Sequence, residues 1–158
     1  MKIKTKFFGE IDIDDEQIIL FPYGIYGFEE YTRFVLLHDI DEDENETKVI
    51  RFLQCADEEN LCFTVVDPKF VESAYSPKLP ANYAKRIGIS SDADLIYLVI
   101  AVISDNIEES TVNMQGPIVI NSKNRVGAQI ILETSEPENA KYKIKHEVFK
   151  TQEDFAKC

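Results

Sequence analysis

The amino-acid sequence predicts a mainly β protein: a single-domain antiparallel β-barrel or sandwich-like fold with one or two short helices. Three observations carry this. Apolar runs rich in β-branched and aromatic residues recur along the chain, at Ile18 to Phe21, Phe34 to Leu37, Ile50 to Cys55, Cys62 to Val66, Leu95 to Ile103, Ile118 to Ile120 and Val126 to Leu132. Turn-forming residues separate most of them, as expected for an antiparallel barrel or sandwich. Helical periodicity is scarce, and no repeat or interdomain linker interrupts the 158 residues, a length that suits one domain with a substantial core.

At the amino terminus Lys2, Lys4 and Lys6 alternate with Ile3, Thr5 and Phe7, and Ile11 and Ile13 alternate with Asp12 and Asp14. A period of two marks half-buried strands. A three-residue loop at Phe8-Gly9-Glu10 puts Phe7 opposite Ile11, Thr5 opposite Ile13, Lys6 opposite Asp12 and Lys4 opposite Asp14. Such exposed charge pairs contribute about 0.2–1 kcal/mol each, enough to favour a register but not to hold a fold.

Phe28 to Tyr31 reads as one short turn, and Pro80 to Ile87 as two helical turns ended by Gly88. Pro68 stops the run before it by removing a backbone donor. Leu95 to Ile103 is apolar at every position, so it should be a central strand covered on both faces. Asn121 to Arg125 has the composition of a hairpin turn linking Ile118–Ile120 to Val126–Leu132, with Pro117 opening its strand where a missing donor is tolerated. The domain is expected to span 1–147, followed by a flexible C-terminal tail at 148–158.

Hydrophobic content of 44% against 29% charged residues is that of a folded rather than a disordered chain. With 29 acidic against 17 basic side chains the formal net charge is -12. Such a surface repels phosphate backbones, which disfavours direct nucleic-acid binding. The same field speeds encounter with a basic protein and weakens as salt rises; mere solubility is the plain alternative. The amino terminus lacks the apolar core of a signal peptide and no run approaches a membrane span, so the expectation is a soluble cytoplasmic protein without membrane contact, monomeric when free.

The search for chemistry is mostly negative. No P-loop, nucleophile elbow, HExxH motif or paired-histidine site is present. His38 reads as a strand-end residue and His146 as exposed, and neither has an orienting partner in sequence. Cys55, Cys62 and Cys158 form no zinc-type spacing. A four-residue loop at Asp57 to Asn60 would bring Cys55 opposite Cys62, where two small buried thiols are favoured over a disulfide in a reducing compartment. The acidic stretch Asp39 to Glu46 lacks the glycine and terminal glutamate of a calcium loop and reads as a solvated loop, with docking of a basic partner as the alternative. No catalytic residue, cofactor or metal site is assigned.

The distinctive segments are Ile18 to Glu29, with its Phe21-Pro22-Tyr23-Gly24-Ile25-Tyr26-Gly27-Phe28 core, and Ser110-Thr111-Val112-Asn113-Met114-Gln115-Gly116-Pro117-Ile118-Val119-Ile120-Asn121 running into Arg125 to Leu132. Between them lie Phe52-Leu53-Gln54 and Leu61 to Pro68, and Tyr142-Lys143-Ile144-Lys145-His146 follows. In this order, from Lys6 to about His146, the chain resembles the FliW family of bacterial flagellar assembly factors. It departs in having Gly116 where Ala is expected and Met114 where Leu is expected.

The resemblance implies a non-enzymatic flagellar assembly factor that binds flagellin and also the translational repressor CsrA, antagonising CsrA so that flagellin mRNA is translated. A flagellin-only export chaperone and a small-molecule-binding or enzymatic β-barrel are the competing readings. Candidate partner-binding residues are Asp105, Glu108 and Glu109 with Ser110 and Thr111 beside them, Asn113 and Gln115, and Tyr23 and Tyr26 as aromatic anchors. For Asn113, Gln115 and Asn121, stitching of an irregular strand stands against presentation of amides to a partner.

Overall fold

The longest strand, β7 (Leu95–Val102), organises the molecule. In the computed structural model, which describes residues 1–38, 50–88 and 95–147, its alternate side chains enter two different cores. Leu98, with Ile96 and Ile100, joins Ile19, Phe21, Phe34, Leu53, Val65, Ile118 and Ile120. Val99 and Ala101 face the other way, onto Tyr75, Val112, Met114, Leu132 and Tyr142. A strand buried on both faces has no polar side to alternate, so its sequence is apolar throughout. The cover ends at the carboxyl end of β7, where Val102 is 67% exposed.

The other strands follow from this one. β3 (Ile18–Leu20), β4 (Arg33–His38), β5 (Ile50–Cys55) and β6 (Cys62–Val66) form an antiparallel series that reaches β7 through Val65↔Ile100 and Val66↔Val99. On its other edge β7 pairs with β9 (Ile118–Asn121), from Leu95↔Asn121 to Leu98↔Ile118. β10 (Val126–Gln129) pairs with β9 and returns to β3, which closes a barrel of seven strands, β3-β4-β5-β6-β7-β9-β10. The β3–β10 contact, Leu20↔Val126, is parallel, the one exception in a barrel that is otherwise antiparallel as expected. The reason is parity: seven alternating strands cannot close without one pair running the same way. So narrow a barrel has only enough interior for side chains, and those of the inner core are buried to near completion.

Beyond Leu98 the β9 edge of β7 passes to β8 (Thr111–Val112), and β8 in turn carries β11 (His146–Glu147). Outside the barrel lie α1 (Pro68–Val71) and α2 (Tyr83–Ile87), the latter placing Ile87 on Val119, Ala128 and Ile130. Pro80 to Asn82, expected as helix, form the turn before α2, and Gly88 ends it in the left-handed region. Asp67-Pro68 ends β6, as expected. It also starts α1, with Asp67 Oδ1 accepting from the Lys69 amide at 2.9 Å and Pro68 at the first helical position. Phe28 to Tyr31 is a single hydrogen-bonded turn. Asp39 to Glu46 and the tail 148–158 lie outside the described residues.

Two registers differ from expectation. β1 (Lys2–Thr5) and β2 (Gly9–Asp12) pair as Lys2↔Asp12, Ile3↔Ile11, Lys4↔Glu10 and Thr5↔Gly9. The loop is three residues, as parity requires, but it is Lys6-Phe7-Phe8. Thr5 Oγ1 fixes it by accepting from the Phe8 amide at 2.9 Å and donating to the Gly9 carbonyl at 2.7 Å. Phe7 and Phe8 are thereby left to pack on Phe52, at centroid distances of 5.2 and 5.5 Å.

In the β5–β6 hairpin Gln54 pairs with Cys62, and Cys55 bonds to Leu61, one step from the register that would oppose the cysteines. A one-residue step reverses the face, so Cys55 enters the inner core while Cys62 lies on the other side of the sheet. Both thiols are free, and burial pushes that of Cys62 up to about 11. The buried Gln54 amide sets this register. Its Nε2 donates to the carbonyls of Cys55, Glu58 and Glu59, filling the loop from within, and its Oε1 accepts from the Lys6 amide.

The inner core makes one substitution diagnostic. A Cβ on Gly127 would lie 2.8 Å from Phe21 Cζ, and that ring is held edge-on to Phe34 at 5.2 Å. Gly127→Ala is expected to destabilise the fold by about 1–3 kcal/mol through overpacking, read as a lower urea midpoint at unchanged slope.

Candidate functional site: one acidic end of the barrel

Strand polarity places loops 21–32, 56–61 and 103–110 at one end of the barrel, because β3, β5 and β7 run towards it. The candidate segments Tyr23–Tyr26 and Asp105–Gln115 therefore meet there. These loops hold eight acids, Glu29, Glu30, Asp57, Glu58, Glu59, Asp105, Glu108 and Glu109, and neither Lys nor Arg. Arg33, just inside β4, makes a two-pronged ion pair with Asp57. That pair holds the Asp57 carboxyl below the ordinary carboxylate range and raises the Arg33 guanidinium.

The first loop is built around Gly24, whose positive φ of 65° is combined with a close crossing of the chain. A Cβ there would sit 2.4 Å from Glu29 Cα, so both conformation and space require glycine. Phe21 and Ile25 are buried beneath, while Tyr23 and Tyr26 are 59% and 54% exposed. The Arg86 guanidinium lies 5.5 Å from the Tyr23 ring centroid. Phe28 stacks edge-on against Phe63 at 5.4 Å. The Glu29 carboxylate accepts from the Gly27 amide at 3.0 Å, and that bond lowers its pKa.

The loop 103–110 presents Asp105, Glu108 and Glu109 to solvent. Ser110 is fully buried and its Oγ accepts from the Ser104 amide at 2.9 Å, closing the loop beneath the acids. Thr111 lies in β8 opposite Val102 and Glu147. Asn113 is structural in its contacts: its Oδ1 accepts from the Gly116 amide at 2.9 Å. Gln115 continues the β9–β10 ladder, its carbonyl accepting from the Leu132 amide at 2.8 Å. Asn121 lies at the other end of the barrel, where its Oδ1 accepts from the Lys123 amide and its Nδ2 donates to the Ile87 carbonyl.

The residue that joins the two distinctive segments was not singled out from sequence. Gln129, buried at the end of β10, accepts from the Tyr26 amide at 3.1 Å through Oε1 and donates to the Gly116 carbonyl at 3.1 Å through Nε2. One amide thus fixes the aromatic loop against the segment leading into β9. Gly116, the departure from the expected Ala, lies beneath this bond; a Cβ there would come within 3.0 Å of Asn113 Nδ2 and 3.2 Å of Gln129 Nε2. A polar residue at the end of an apolar strand was the signal available, and only pairing reveals what it touches.

The barrel defines a class of protein: a small closed β domain whose distinctive segments build one loop-covered end. Among the described residues no helix is long and apolar enough to cross a membrane, and no cluster of three or more His, Cys, Asp or Glu is placed to hold a metal. The family model described as FliW protein matches residues 2–148. A flagellar assembly factor FliW from Alkaliphilus metalliredigens is 36% identical over 155 residues, covering 97% of this chain and 91% of that protein. Another from Caldanaerobacter subterraneus subsp. tengcongensis is 36% identical over 148 residues, with 94% and 93% covered. A crystal structure of the flagellar assembly factor FliW superposes with a TM-score of 0.82 at 34% identity, covering 96% of this chain and 99% of that one. The chain belongs to the FliW family.

Gln129→Leu should leave the Tyr26 donor and the Gly116 acceptor unpaired. Urea denaturation is expected to show a loss of about 2–3 kcal/mol, larger than a simple truncation at a barrel rim.

Proposed function

We propose that the protein is a non-enzymatic, cytoplasmic flagellar assembly factor that binds flagellin and, in exchange for it, a CsrA-type RNA-binding repressor. The observation that carries the repressor half is the acidic end. Three loops bring eight carboxylates and no Lys or Arg together around exposed Tyr26, Phe28, Val102 and Ile103. An RNA-binding protein must carry positive charge to hold phosphates, and an acidic surface with apolar anchors complements it in both charge and area. Negative potential delivered beside the RNA surface weakens RNA binding without mimicking RNA.

Exchange follows from linkage. If flagellin and repressor each bind more weakly in the presence of the other, free flagellin holds the factor, and its export releases the factor to sequester the repressor. Translation of flagellin then resumes. The small-molecule reading called for an apolar cavity with convergent polar groups. The barrel interior is filled by Ile19, Phe21, Phe34, Leu53, Val65, Leu98, Ile118 and Ile120, and a cleft of about 520 Å³ opens outside it, between α1, Tyr75–Pro77 and the start of β7, with a lining as polar as it is apolar. A flagellin-only chaperone would show no affinity for purified repressor.

Reversing Asp105, Glu108 and Glu109 together to Lys tests the acidic end. Association with CsrA from the same genome is expected to slow by about ten-fold or more at low salt, with the difference shrinking as salt rises. All three are exposed, so the melting temperature should change little. An unchanged association rate would remove these residues from the interface.

A further inference from the structure

We propose that the segment Val148-Phe149-Lys150 of the chain itself docks on the uncovered end of β7 and competes there with the repressor. Barrel closure leaves that end of the strand bare. β9 pairs with β7 as far as Leu98 and β6 as far as Ile100; beyond them β7 keeps only β8 and, through it, β11. Residues directly opposite one another on paired strands share a face, so Val102, Thr111 and Glu147 form one row whose side chains point the same way. In that row Val102 is 67% exposed, more than any other large apolar side chain among the described residues, and Ile103 follows at 42%.

The direction of the chain supplies the occupant. β7 runs towards the acidic end, β8 away from it and β11 towards it again, so the residues after Glu147 leave from the row that contains Val102. Period two in an extended strand puts Val148 on the side of Ala101 and Val112, which belong to the outer core, and Phe149 on the side of Glu147, Thr111 and Val102. One row on, Phe149 is diagonal to Thr111, a spacing of about 7–8 Å that an aromatic ring spans. Thr111 is a small side chain, and the ring reaches across it towards Val102.

Charge limits how much of the segment docks. Lys150 arrives beside Glu108 and Glu109, which are exposed in the loop before β8, at an end whose loops hold eight carboxylates and no Lys or Arg. Glu153 and Asp154 follow, and the same carboxylates repel them, which confines docking to 148–150. Docking therefore occupies Val102 and Ile103, the apolar anchors proposed for the repressor, together with two of its acids. A segment docked about nine-tenths of the time weakens the repressor about ten-fold. The competition rests on the repressor reading; the docking does not.

The chain contains no Trp, so Phe149→Trp supplies a single fluorescent reporter. Its emission is expected to be blue-shifted from free indole and poorly quenched by acrylamide, and Val102→Asp in the same background is expected to abolish both effects. Val102 is exposed, so Val102→Asp should leave the melting temperature nearly unaltered. Phe155→Trp, beyond the two acids, should read as solvent-exposed. Emission of Phe149→Trp at the free-indole position, or shielding that Val102→Asp leaves intact, would overturn the docking. Shielding that grows with protein concentration would overturn it in favour of a second copy of this chain. In calorimetric titration with the CsrA-type repressor from the same genome, Phe149→Ser should bind about ten-fold more tightly than the unaltered protein. Equal affinity with Phe149→Trp shielded would overturn the competition and leave the docking. No repressor binding to either protein would overturn the repressor reading, and the fluorescence would still decide the docking.

Discussion

Closure of seven strands is the constraint on which the rest depends. One strand, β7, must serve two edges and two cores at once: β6 on one side, β9 and then β8 on the other, with side chains alternating between the barrel interior and the outer layer. Its sequence has no freedom to be polar until it leaves the barrel. The odd strand number forces the single parallel seam between β3 and β10. Arg125 reinforces that seam, its carbonyl accepting from the Leu20 amide at 2.9 Å and its guanidinium donating to the Gln17 carbonyl at 2.8 Å.

Closure also decides where the two distinctive segments meet. They are about ninety residues apart in sequence, yet both arrive at the end towards which β3 and β7 run. Gln129 then ties them with one side chain, and Gln54 and Ser110 settle the neighbouring loops from within. Buried amides and hydroxyls satisfying loop backbone hold such loops in one conformation. The exposed acids and aromatics consequently stand on a prepared surface, and less ordering remains to be done on binding.

The strands were legible because their signal is local. The runs Ile50 to Cys55 and Cys62 to Val66 became strands with unchanged bounds, and Asn121 to Arg125 became a hairpin link, with Arg125 at a φ of 60°. Registers were less legible. A hairpin's pairing depends on which side chain fills its turn, and Thr5 and Gln54 did so from positions that alternation alone does not distinguish. The acids at 105, 108 and 109 were visible as a run, but their meeting with Glu29, Glu30 and Asp57 to Glu59 follows from strand polarity. Ser110 and Asn113 carried the same sequence signal as exposed polar residues, and the structure gives both local backbone partners. The role of Gln129 depends on contacts between distant strands, which no local pattern encodes.

The most direct measurement is amide hydrogen exchange of the protein with and without the CsrA-type repressor from the same genome. Added protection concentrated in 22–31, 56–61 and 103–115, with none at the 122–125 turn, is the expected result. Protection centred on 122–125 and 67–77, with the acidic end unchanged, would contradict the assignment of that end as the repressor-binding surface.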